Sequence, residues 1–409
     1  MFRVDRLREH ALGPNTLSAA HDELLARGES VVDLVSGNLN AQGLRFPEEA
    51  LRQALEEARP RAATYTPDPL GRIEAREAIA AYYEPAGLRV APDRIVVTPG
   101  TSVSYLYAFS VLCEPGDEVL VPRPSYPLFD EIARIPGVRL APYRLREADG
   151  WRIDLEHLES QVSTRTRAIV LISPHNPTGA VASAAEIEGL AEIARRHDLA
   201  ILADEVFCEF VFDDGPFARP ALAGAAPRPG TAPARAAEAG APFVLTLNGF
   251  SKMFSLPGWK VGWILVTGDE DRAAKAAWML SHVSDAFLVV NELAQCAVPG
   301  IFAGAAAFPR ELREHARRGR DVALATLSLP GVTSVVPPKG GLFLTVRLVG
   351  AGLEEEEIAL DLLRRAQVLV HPGYYYDLPP DHLVLSYAAR EETLRPALEK
   401  IAARLGTPG

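Results

Sequence analysis

The sequence predicts an α/β protein whose mostly parallel central sheet is covered by helices. Three observations carry that expectation. Short apolar runs, nearly unbroken by polar residues, recur along the chain. Helix-compatible stretches separate them, and Gly-, Pro- and Asp-containing turns punctuate the two. A strand buried on both faces has no reason to alternate polar with apolar residues, so this pattern indicates parallel strands sandwiched between helices.

Taken in order, Arg94-Ile95-Val96-Val97-Thr98 is a β-branched run and Val103–Leu112 is the helix after it. Pro115-Gly116-Asp117 then turns the chain into the strand Glu118–Val121. Equivalent runs lie at Ala168–Ile172, Ala200–Ala203, Phe243–Leu247 and Val261–Val266. The Ala-, Pro- and Gly-rich segment Gly224–Pro242 reads as a surface insertion between strands. After about Ala273 the pattern changes to helices, then a β element near Gly341–Val346, then a closing helix from about Glu391. The expected organisation is a large domain over 51–275 and a smaller α+β domain made from 1–50 and 276–409. A chain of 409 residues is long enough for such a division.

Composition narrows the function classes. A formal net charge of −11 argues against nonspecific nucleic-acid binding, which uses a basic surface. The three cysteines, Cys113, Cys208 and Cys296, show no CxxC spacing and read as buried apolar thiols in a reducing cytoplasm. Residues Met1–His10 lack the apolar core of a signal peptide, and no apolar run approaches membrane-spanning length. No metal site, nucleic-acid partner or membrane partner is expected.

Four chemistry-bearing signals follow in a set order. Thr98-Pro99-Gly100-Thr101-Ser102 is a strand-to-helix turn suited to an anion, because a helix start offers free N–H groups. Ser173-Pro174-His175-Asn176-Pro177-Thr178-Gly179 carries an Asn, Ala203-Asp204-Glu205 an Asp, and Gly249-Phe250-Ser251-Lys252 a Lys. Singly, each has an ordinary structural explanation: a helix N-cap at Thr101 or Ser102, a tight turn at Asn176, a solvated strand end at Asp204, a surface lysine at Lys252. All four fall just past the ends of strand-like runs, where open α/β sheets gather ligands. A phosphate turn, an Asn, an Asp and a Lys so placed suit pyridoxal phosphate, with the lysine holding the aldehyde as a Schiff base and the Asp keeping the pyridine nitrogen protonated.

From about Asp33 to Ala402 the chain resembles a class I/II aminotransferase of the fold type I pyridoxal phosphate superfamily. The resemblance implies that Lys252 is the Schiff-base lysine and proton shuttle. It implies that Asp204 pairs with the pyridine nitrogen, Asn176 donates to the phenolic oxygen and Tyr126 stacks on the ring. Thr101, Ser102 and Lys260 would hold the phosphate. Tyr65, in Thr64-Tyr65-Thr66-Pro67, matches a tyrosine that reaches the phosphate of a neighbouring subunit, which implies a homodimer with shared sites. Gly37 and Asn38 match a substrate-lining loop; Tyr374 and Arg390 are further substrate-side candidates. The implied activity moves an amino group between a specialised amino acid and a keto acid. The same cofactor residues would serve a lyase or cyclase using carbanion chemistry, and a non-catalytic sensor is a further alternative.

Departures from the family pattern bear on substrate. Phe207 stands where a tyrosine is common, Lys260 where an arginine is, and Gly249 where a serine is. Leu383-Val384-Leu385-Ser386-Tyr387-Ala388 places Val384 where the family carries the arginine that clamps a substrate carboxylate.

Overall fold

The computed structural model describes residues 15–213, 215–224, 241–350 and 354–406. Residues 225–240 of the expected surface insertion therefore lie outside the described residues.

Fourteen strands are named in chain order. They are β1 (Val32–Asp33), β2 (Ile95–Thr98), β3 (Glu118–Arg123), β4 (Arg139–Arg146), β5 (Arg152–Ile153), β6 (Thr166–Ile172) and β7 (Ala200–Asp204). Then come β8 (Val244–Gly249), β9 (Gly262–Thr267), β10 (Thr333–Ser334), β11 (Phe343–Leu348), β12 (Val368–Leu369), β13 (His371–Pro372) and β14 (His382–Ser386). Eight of them form the central sheet in the order β2-β9-β8-β7-β6-β3-β4-β5. The pairs β8–β7, β7–β6, β6–β3 and β3–β4 are parallel, and β9 runs against both β8 and β2.

The unbroken apolar runs are what the sheet requires. Every residue of β2, β7, β8 and β9 is buried. Successive residues face opposite helical layers: Ile169, Leu171 and Ile201 join one core cluster, and Ala168, Val170 and Leu202 the other. Strand β4, absent from the sequence expectation, lies near the sheet edge and exposes alternate residues, so its segment Arg139–Arg146 reads as polar. The helix Ala184–Arg196 after β6 begins with a capping box, Ser183 receiving the N–H of Glu186 while Glu186 receives the N–H of Ser183.

A second sheet, β10-β11-β14-β13, is antiparallel; the helix Glu355–Asp361 packs against β13 and β14, and the helices Phe308–Leu327 and Glu391–Leu405 pack against each other. The N-terminal segment joins this C-terminal part of the chain, because β1 pairs in parallel with β12. Among the described residues no helix is long and apolar enough to cross a membrane.

Central burial sets a stability expectation. Leu202 is 0% exposed in the middle of β7. Leu202→Ala should cost roughly 2–5 kcal/mol, the usual range for emptying a leucine site in a packed core. A urea midpoint indistinguishable from that of the unaltered chain would contradict this packing.

Candidate active site at the carboxyl ends of the central strands

Strand register determines which loops meet. Ile172 lies beside Asp204, and Asp204 beside Leu247. The N–H of Ser173 donates to the carbonyl of Asp204 at 3.1 Å, and that of Glu205 to Leu247 at 2.9 Å. Asn176, Asp204 and Lys252 therefore leave neighbouring strands at one level. On the far side of β8, Gly249 pairs with Gly262 and Thr98 with Gly262, which brings the turn at Gly100 alongside. A Cβ on Gly262 would lie 2.9 Å from Gly100 Cα, so the two backbones touch only because residue 262 has no side chain.

Asp204 is buried, and each carboxylate oxygen has one donor. Tyr105 Oη donates to Oδ2 at 2.9 Å and the Val206 N–H to Oδ1 at 3.0 Å. Burial pushes the Asp204 carboxyl up to about 6, and the Val206 and Tyr105 hydrogen bonds oppose it. Lys252 is part-buried, and its ammonium donates to the Gly37 carbonyl at 2.8 Å. Burial lowers its amine to about 8. Phe207 lies under that amine, 5.7 Å from ring centroid to Nζ, and is itself set edge-on to Phe343.

The N-terminal loop closes over this group. A Cβ at Gly37 would stand 2.8 Å from Phe343 Cζ and 3.4 Å from Lys252 Nζ, so only glycine fits without displacing them. Asn38 follows, part-buried, and its side chain receives the Ala41 N–H at 3.4 Å. Asn40 Nδ2 reaches the Ser255 carbonyl at 3.3 Å, just past the lysine.

The Asn176 loop is held from behind. His175 is buried and its Nδ1 lies 2.9 Å from Thr178 Oγ1. Burial drops its imidazole to about 3, so it is neutral. Asn176 Oδ1 is buried without a hydrogen-bond partner, an orphan oxygen beside the cluster. The helix Thr101–Leu112 starts after Gly100, at φ 106°, with no side-chain cap bond. Thr101 is part-buried and Ser102 exposed at this first turn. Lys260 is exposed, in a left-handed conformation, two residues before β9.

Tyr126 is half-exposed, and its ring is edge-on to Phe129. Tyr65 is 73% exposed in the single chain. Two substrate-side expectations meet a different geometry. Arg390 gives its guanidinium to the carbonyls of Gln42 and Gly43, at 3.0 and 2.9 Å, so it fastens the N-terminal loop. Tyr374 is exposed, whereas Tyr376 is buried and its carbonyl receives the Ser125 N–H at 2.8 Å, next to Tyr126. Sequence reasoning missed Tyr105 and Tyr376. Tyr105 carried a usable signal, since it falls four residues after Thr101 and so lies on the same helix face.

The donor set fits pyridoxal phosphate. It offers an anion turn at a helix start, a buried carboxylate on Asp204 and an amine on Lys252 that burial lowers to about 8.

The profile of the family described as "Aminotransferase class I and II" matches residues 29–401. The alanine aminotransferase of Mycobacterium tuberculosis is 32% identical over 398 residues, covering 95% of this chain and 88% of that protein. The glutamate-pyruvate aminotransferase AlaA of Escherichia coli is 30% identical over 384 residues, covering 92% of this chain and 90% of the other. Among solved structures, a double mutant of Thermus thermophilus aspartate aminotransferase superposes with a TM-score of 0.84 at 29% identity, covering 99% of this chain and 100% of that one.

The lysine environment yields a measurable expectation. Burial penalises the ammonium, so the reactive amine should form at lower pH than a lysine in water, which titrates near ~10.4. Competitive acetylation of the cofactor-free protein should show Lys252 reaching half its limiting reactivity near pH 8. A Lys252 titrating like a free lysine would remove the electrostatic basis of the site.

Proposed function

The chain belongs to the class I and II aminotransferase family and is a pyridoxal phosphate-dependent aminotransferase, and we propose that Lys252, Asp204 and Asn176 are its working residues. The single observation that supports this reading is strand register: Ile172, Asp204 and Leu247 are aligned, so Asn176, a buried Asp204 and a Lys252 amine lowered by burial follow the ends of three neighbouring strands.

When bound, pyridoxal phosphate supplies an aldehyde that exchanges amino groups and a protonated ring that withdraws electrons from the reacting carbon. Thr101, Ser102 and Lys260 would hold its phosphate, Lys260 as a point charge without the fork of an arginine. Asp204, kept anionic at neutral pH by its two donors, would face the pyridine nitrogen. Asn176 would bond the phenolic oxygen from the opposite edge, and Tyr126 would cover one ring face. Lys252 Nζ, uncharged in a good fraction of molecules near pH 8, can take a proton from the substrate α-carbon and return it. Phe207 offers no hydroxyl, so Asn176 acts without that second bond.

The amino donor is proposed to be a specialised amino acid. Val384 is buried in β14, with Thr345 of β11 and His371 of β13 as its register partners. Burial drops His371 to about 4 against the opposing pull of Asp33, so this face carries no fixed positive charge from those three residues. Gly37, whose carbonyl holds Lys252, and Asn38 after it would line the substrate side from the N-terminal loop.

A second copy of the chain is proposed to complete the site. Tyr65, Phe287, Leu288 and Leu293 are exposed. Tyr65 and Leu293 are chain neighbours of Thr66 and Glu292, which Arg72 joins at 2.5 and 2.6 Å, so their two segments are held together. Exposed apolar side chains grouped in this way mark a protein interface.

Two experiments test these readings. Mixing the holoenzyme with an amino-acid panel should give an absorbance change that a keto acid reverses, with low kcat/KM for alanine and aspartate. Val384→Arg should raise kcat/KM for those two about tenfold or more, as a charged hydrogen bond is worth ~1.5–3 kcal/mol. Ordinary efficiency of the unaltered protein on alanine or aspartate would show that the clamp position is immaterial, and ammonia release without an acceptor would point to lyase chemistry. Light scattering should show a particle of two chains. Subunit exchange between inactive Lys252→Ala and Tyr65→Phe proteins should then restore one site per hybrid; a monomer, or no recovery with an impaired Tyr65→Phe, would refute a shared site.

A further inference from the structure

Tyr105 lies in the helix Thr101–Leu112, one turn beyond the proposed phosphate cup, and is 3% exposed. Its ring stands edge-on to Phe129 at 4.9 Å and tilted against Phe109 at 5.9 Å. These contacts leave the hydroxyl one place to go, Asp204 Oδ2 at 2.9 Å. The other carboxylate oxygen takes only the Val206 N–H. Tyr105 is thus the one side chain among the described residues that donates to this buried carboxylate.

We propose that Tyr105 is a positioning residue that holds Asp204 as an anion aimed at the cofactor nitrogen, and that it ties this distance to the phosphate cup through one helix. The inference rests on the reading of Asp204 as the pyridine partner. Two physical reasons support it. A buried carboxylate with few donors drifts towards its neutral form, and a phenol donor resists that drift by bonding the charged form. The same rigid helix also presents Thr101 and Tyr105 on one face, since residues four apart are neighbours. A ring bound by its phosphate at the helix start is then met at its nitrogen by a carboxylate set from the next turn. Burial alone would lift the Asp204 carboxyl further than it stands, and the Tyr105 bond is one of the two that hold it down.

A simpler role is possible for any buried tyrosine: the hydroxyl needs a partner, and Asp204 is at hand. The test separates the two. Cofactor-free protein is titrated, by quenching of tryptophan fluorescence, with pyridoxal phosphate and with its 1-deaza analogue. The analogue has the same aldehyde and phosphate but carbon in place of the ring nitrogen. Unaltered protein should bind the natural cofactor more tightly. Tyr105→Phe keeps the ring against Phe129 and removes only the hydroxyl. It should weaken pyridoxal phosphate binding about ten- to hundredfold, the scale of a hydrogen bond to a charged group. It should leave the analogue within about threefold or tighter, because a neutral Asp204 no longer opposes a C–H. Equal loss for both ligands in a variant of unchanged melting temperature overturns the proposal in favour of packing. No loss for either overturns it outright. If the unaltered protein fails to discriminate the two ligands, the assignment of Asp204 is what fails. If it discriminates and Tyr105→Phe discriminates equally, only the role of Tyr105 fails.

Discussion

The parallel register of β6, β7 and β8 is the constraint on which the rest depends. Ile172, Asp204 and Leu247 end three strands side by side, deep in a sheet whose residues are buried on both faces. Parallel strands need crossovers, and those crossovers become helices that cover the sheet. What protrudes is a row of loops on one edge, each held by a buried strand. A side chain on such a loop starts from a rigid point, so an amide, a carboxylate and an amine from distant parts of the chain converge with little freedom.

Convergence under cover has an electrostatic cost. The Asp204 carboxyl has a raised pKa in the folded protein, so its contribution to stability is full below about 3.8 and is lost as pH rises through about 6. The Lys252 amine is lowered, so its contribution is full above about 10.5 and is lost as pH falls through about 8. Between about 6 and 8 both groups are held charged against their surroundings, and the cofactor-free site is at its least favourable. A ligand that meets the carboxylate with a cation and consumes the amine relieves both penalties, which makes the strain of the empty fold a driving force for loading it.

Much of this was legible in the sequence, and the gaps have physical causes. Unbroken runs such as Ala168–Ile172 announce a strand buried on both faces, and Lys252, Asp204, Asn176 and Gly100 could be placed because each follows such a run. Strand β4 escaped because a strand near the sheet edge and half in water carries charged residues among its apolar ones and loses the signature. Tyr105 escaped because a hydroxyl in a run of apolar residues reads as core packing until its partner is known. Tyr374 and Arg390 were ambiguous for a related reason. In Tyr374-Tyr375-Tyr376 composition cannot tell which ring turns inward, and an arginine six residues past the clamp position, at the start of the closing helix, is as able to bond backbone carbonyls as a substrate.

Two staples on the N-terminal loop couple mechanics to chemistry. Leu34 exchanges bonds with Leu369 and Ser386, and Arg390 grips Gln42 and Gly43, so both ends of the loop are sewn to the second sheet and its closing helix. Between them the Gly37 carbonyl accepts from Lys252, in the short helix Phe250–Met253 that follows β8 of the central sheet. The loop therefore links the second sheet to the end of β8, and its midpoint is a hydrogen bond to the Lys252 nitrogen. Any displacement of the loop relative to β8 would lengthen or shorten that bond, and with it the hold on the proton. Posture and charge state at Lys252 become a single variable, read out through one carbonyl.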